Sequence, residues 1–125
     1  TPGFGGTQRR ARLAGMGMAK QVVCSALNIR ADEALRIGLV NAVYPQEELM
    51  ENAPKLANKI AKNAPIAVRN CKKAINEGIS KPIEEAVVVE EKLFGDCFET
   101  HDQVEGMQCF LSREKPKPKP VFTNN

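Results

Sequence analysis

Tryptophan is absent from this 125-residue chain, tyrosine and histidine each occur once, and no apolar run has the length of a membrane span. Each shortage excludes a class of function. With so few aromatics, and a net charge of only +3 from 18 basic and 15 acidic residues, the chain has neither stacking platforms nor a dense positive field. No nucleic-acid partner is expected, although Arg9, Arg10, Arg12 and a Lys-Pro tail are basic. No membrane partner is expected either. The cysteines Cys24, Cys71, Cys97 and Cys109 form no CxxC pair, and His101 is the one histidine available to join them. That is not a zinc pattern, so no metal site is expected. With no signal-peptide pattern, a reducing, cytoplasmic setting is expected, in which the thiols act as small apolar side chains.

What remains is mostly helical periodicity. Thr7 is placed to cap a helix that runs to Gly15, and a second helix over 17–26 carries Met18, Val22 and Val23 on its apolar side. Leu27-Asn28-Ile29 reads as a β rung. Residues 31–37 read as a helix with acids in its first turn and Gly38 as its stop, and 39–44 read as a short strand closed by Pro45. Leu49, Ala53, Leu56 and Ile60 make one stripe over 46–62, interrupted by Pro54, which is expected to kink the helix. Pro65 and Pro82 each open a further helix, and Thr100 with Gln103 matches a capping box. The alternating Lys and Pro residues after Arg113 favour an extended, solvated tail. The fold class is therefore mainly α with one or two short strands, and apolar helix faces remain to be covered.

Few residues stand out chemically by themselves. The opening TPGFGGTQRR matches neither GxGxxG nor GxxxxGK[ST], so alone it reads as a turn before a helix. Glu84, Glu85, Glu90 and Glu91 read as a solvated helix face. His101, beside a helix cap, reads as structural. No self-contained catalytic site emerges.

Three stretches in order change this reading: PGFGGTQR (2–9), ADEALRIGLVN (31–41) and FGDCFETHDQVEGM (94–107). Together they resemble the C-terminal half of the crotonase, or enoyl-CoA hydratase, family, and in particular its short-chain bacterial 3-hydroxybutyryl-CoA dehydratases. The resemblance implies the C-terminal part of an α/β superhelical fold of the ClpP/crotonase type. It divides the chain into the end of the spiral core (1–45), a helical oligomerisation region (46–113) and an extended Lys/Pro tail (114–125).

The activity implied is syn addition of water across the double bond of a trans-2-enoyl-CoA, or its reversal, in fatty-acid or butyrate-type metabolism. In that chemistry two glutamates activate the water, and two backbone N–H groups stabilise the thioester enolate. By the resemblance, those glutamates and N–H groups belong to sequence preceding Thr1, so these 125 residues are expected to be a fragment that is inactive alone. Gly3 is implied to direct its backbone N–H at the catalytic water. Phe94 and Phe110 are implied to flank the adenine end of CoA, and Arg113 its ribose phosphate. No cofactor is implied beyond the CoA thioester of the substrate, and the implied assembly is a homotrimer or a dimer of trimers, with the pocket shared between subunits. Arg10-Ala11 stand where the family usually has Leu-Pro, setting a charge where the parent fold buries surface. Enoyl-CoA isomerase, acyl-CoA hydrolase and a non-enzymatic helical oligomerisation module remain open alternatives.

Overall fold

The computed structural model describes residues 2–125, which form six helices in two compact units, one through Glu51 and the other from Asn52 onward. The division falls inside a helix. The six are α1 (Gly6–Ser25), α2 (Ala31–Arg36), α3 (Gln46–Ala61), α4 (Pro65–Gly78), α5 (Ile83–Phe98) and α6 (His101–Leu111).

In the first unit, α1 starts from Gly5 rather than from a cap by Thr7. Gly5 takes a left-handed conformation (φ 78°), and its carbonyl accepts the Arg9 N–H at 2.9 Å. Thr7 is thereby drawn inside the first turn, where its hydroxyl no longer occupies the capping position. Gly15 does interrupt the helix, at φ 79° and ψ 157°, and helical structure resumes beyond it to Ser25. Ala19 and Val22 are buried on this second segment, with Ala34 of α2. Gly38 stops α2 as expected: it is left-handed at φ 72°, and the Gly38 N–H reaches the Leu35 carbonyl while the Leu39 N–H reaches that of Ala34.

Neither expected strand forms; among the described residues there is no strand. Leu27–Ile29 and the residues before Pro45 have the composition of strands, but a strand exists only through a neighbouring backbone that takes its N–H and C=O groups. Here the turns and bends after α2 run instead into unpaired backbone.

The helix α3 continues past Pro54 to Ala61 and exposes its stripe, Leu49, Leu56 and Ile60 included. In the second unit α4 and α5 form the main packed pair. Pro65 occupies the first turn of α4 and Pro82 is the N-cap of α5, as their fixed φ angles favour. Their crossing is close at Gly78, where an added Cβ would stand 3.2 Å from that of Ala86. Leu93 and Cys109 are the buried apolar side chains of this unit. Thr100 caps α6, its Oγ1 accepting the Gln103 N–H at 3.2 Å. Only that half of the capping box forms, because the Thr100 N–H donates to Cys97 O.

The thiols differ in reach. Cys24 and Cys71 are exposed, whereas Cys109 is buried and its thiol is pushed up in pKa, first by burial and then by the carboxylate of Glu105. A thiolate is the reacting form, so a pulse of iodoacetamide on the folded chain should label Cys24 and Cys71 first and Cys109 last. Peptide mass mapping reads the order, and early labelling of Cys109 would contradict this burial.

Candidate functional site

The Gly-rich loop belongs to the first unit. Gly6 N–H donates to Gly3 O at 2.9 Å, closing a turn whose two central residues, Phe4 (φ 53°) and Gly5 (φ 78°), are both left-handed. Glycine takes that conformation without penalty, but phenylalanine does not, and the Phe4 side chain is left 99% exposed. Gly3 is exposed, and a Cβ built on it would meet nothing within 4 Å. Among the described residues its N–H has no backbone acceptor. A backbone N–H without a backbone acceptor, on an exposed hydrogen-bonded turn, is suited to hold an oxygen.

Nearby in the same unit lies a cavity of about 510 Å³, lined by Pro2, Arg10, Val22, Val23, Leu27 and Ile29 among others. Arg10 is half-buried at this wall, whose surface is polar and apolar in about equal parts. The other arginines of the loop are turned to their own helix: Arg12 donates to the carbonyl and side chain of Gln8, and the Arg9 guanidinium lies against Gly5.

Phe94, Phe110 and Arg113 all lie in the second unit, on different supports. Phe94 stands on α5, edge-on to Phe98 with ring centroids 5.0 Å apart. It borders a groove of about 350 Å³ between α4 and α5, with Ala74, Ile75, Leu93 and Cys97 among its walls. Asn70 crosses the floor, donating its amide to the Leu93 carbonyl at 3.0 Å and to the Cys97 sulfur at 3.5 Å. Phe110 and Arg113 sit at the far end of α6, Phe110 in its last turn and Arg113 just beyond. Phe110 is 70% exposed, and Lys117 Nζ is held 5.2 Å from its ring centroid. His101 is exposed at the start of α6, and Glu84, Glu85, Glu90 and Glu91 are exposed on α5. Among the described residues no group of three or more His, Cys, Asp and Glu side chains is placed to hold a metal, and no helix is long and apolar enough to cross a membrane.

Sequence reasoning missed Asp102. Its side chain is 1% exposed, and its two oxygens accept the Thr123 N–H at 2.7 Å and the Asn124 N–H at 3.0 Å. Glu105 Oε1 takes the Val121 N–H at 3.2 Å, and Phe122 lies on Gly106. The tail is extended and its Lys-Pro residues are exposed, as expected, but its last residues turn back along α6 as a strap, where these carboxylates accept the backbone N–H groups of Val121, Thr123 and Asn124. The signal available was Phe122 after the last proline, an aromatic ring in an otherwise polar run that is half-buried beside Gly106.

Residues 1–122 match the family model described as enoyl-CoA hydratase/isomerase. The chain is 56% identical over 115 residues to a short-chain-enoyl-CoA hydratase of Clostridium acetobutylicum, covering 92% of this chain and 44% of that protein. It is 52% identical to a crotonyl-CoA hydratase of Syntrophomonas wolfei, with the same coverage. A crystal structure of an enoyl-CoA hydratase from Bacillus anthracis superposes with a TM-score of 0.92 at 40% identity, over 99% of this chain and 46% of that one. The chain thus spans less than half the length of these relatives. Matched by the family model over nearly its whole length, it belongs to the enoyl-CoA hydratase/isomerase family.

Proposed function

We propose that these residues form the C-terminal half of a hydratase acting on short-chain trans-2-enoyl-CoA thioesters. The observation that carries this reading is the 56% identity to a short-chain-enoyl-CoA hydratase across 92% of the chain. In this reading the Gly3 N–H orients the attacking water, which is consistent with its exposure on a rigid turn. General-base work is assigned to no residue of this chain, whose acidic α5 face is solvated. Phe94 and Phe110 offer apolar faces to the adenine end of CoA, and Arg113 offers a cation to its ribose phosphate. The reaction adds water without oxidation or group transfer, so no cofactor is required beyond the CoA carried by the substrate.

We take the assembly to be a homotrimer, or a dimer of trimers, in the cytoplasm, and the exposed apolar faces support self-association. Ile75, Ile79, Ile83, Val88 and Leu111 are all exposed in the second unit, more apolar side chain than an isolated helical unit ordinarily leaves in water.

The test sets this chain into the Clostridium acetobutylicum relative in place of its matching segment. The hybrid is expected to hydrate crotonyl-CoA, followed as loss of the enoyl-thioester absorbance. Phe110→Ala in the hybrid is expected to raise KM about tenfold, the scale of one lost aromatic contact. A folded trimeric hybrid without hydratase activity would refute the reading.

A further inference from the structure

Lys117 is held more firmly than a lysine in a Lys-Pro run is expected to be. Its ammonium donates to the Phe110 carbonyl at 2.8 Å and lies 5.2 Å from the centre of the Phe110 ring. Pro116 and Pro118 restrict the backbone on both sides, and the strap that carries it is tied down by Asp102 and Glu105. The result is a fixed cation over one face of an aromatic ring that is still 70% exposed. An exposed ring with a fixed ammonium over one face suits one chemical class, a planar heteroaromatic base that carries phosphate.

We propose that Lys117 contacts a phosphate at the nucleotide end of the CoA thioester, and that Asp102 is the positioning residue that holds the strap delivering it. The inference rests on the reading of Phe110 given above and adds a ligand-binding role for the strap. A purely structural alternative exists, since the Phe110 carbonyl is among the last of α6 and an ammonium there also closes the helix end. The two are separable by charge and by substrate.

The measurement is steady-state hydration by the complete enzyme carrying these residues, with crotonyl-CoA and with crotonyl-pantetheine, which lacks the nucleotide. Lys117→Gln keeps a donor for the Phe110 carbonyl but removes the charge. It is expected to raise KM for crotonyl-CoA by about fivefold, as the loss of one partly exposed phosphate contact would, and to leave KM for crotonyl-pantetheine unchanged. Lys117→Arg should restore the parent value. Asp102→Ala should reproduce the same substrate-dependent increase. Should that variant not fold, Thr123→Pro, which removes one N–H bonded to Asp102 and leaves the carboxylate, is expected to do so. Equal increases with both substrates would assign Lys117 a structural role and overturn the proposal. An unchanged KM in Lys117→Gln, alongside a raised KM in Phe110→Ala, would overturn it while leaving the Phe110 reading intact. If neither variant changes KM, the reading of Phe110 fails with it.

Discussion

Asp102→Ala is expected to lower the stability of the second unit by about 2–4 kcal/mol and to free the strap from α6. The carboxylate is 1% exposed and accepts two backbone N–H groups of the strap, at 2.7 and 3.0 Å, with the Thr123 hydroxyl 3.4 Å away. Bonds to an ionised acceptor are each worth about 1.5–3 kcal/mol, but part of this returns because the released amides are rehydrated. Asp102 also stands in the first turn of α6, where a negative charge complements the helix N-terminus and adds a few tenths to about 1 kcal/mol. Urea unfolding should show the midpoint falling, and amide exchange at Thr123 and Asn124 should become fast while α4 and α5 remain protected. Asp102→Asn retains the shape but offers one acceptor oxygen in place of two, so it should fall between the parent and the alanine variant. Parent-like exchange at Thr123 in Asp102→Ala would show that the strap is held by something other than this carboxylate.

Leu93→Ala is the second large effect, at about 2–4 kcal/mol. Leu93 is 7% exposed on α5, and the buried apolar side chains of the second unit are few, so little neighbouring structure can collapse into the space left behind. The Leu93 carbonyl also accepts from Asn70, which ties the residue's backbone to α4 as well as its side chain. Val88→Ala, on the same helix but 63% exposed, is expected to change stability by less than about 0.5 kcal/mol. Thermal unfolding followed by circular dichroism compares the two directly. Similar losses from both would mean that Val88 is covered in solution, which is the outcome that trimer formation through α5 would produce.

Most of the helical framework was legible in the sequence, for local reasons. Pro65, Pro82, Thr100 and Gly38 act within three or four residues of themselves, so their effects are visible in a short window. Thr7 misled because two signals overlapped: a capping side chain stood two residues after a glycine free to take the left-handed start itself. The strand expected over 39–44 failed for the opposite reason. Its composition is favourable, yet what makes a strand is a partner backbone, which no window of one sequence displays.

The candidate site divides in the same manner. Family motifs pointed to Gly3, Phe94, Phe110 and Arg113, each of which lies in or beside a motif that a short window of sequence displays. Asp102 was hidden inside a capping box whose flanking residues, Thr100 and Gln103, drew the reading. Its partners lie about twenty residues further on, in a tail whose Lys-Pro alternation argues for solvation. Long-range polar pairing of this kind leaves almost no periodic trace.

The turn at Phe4-Gly5 carries a last consequence. A flexible glycine loop loses its freedom when it meets a ligand, and affinity falls accordingly. Here two successive left-handed residues and the Gly6-to-Gly3 bond have already settled the backbone, with an aromatic side chain held out in water. The entropy of ordering this turn is therefore lost when the chain folds rather than when something binds to it.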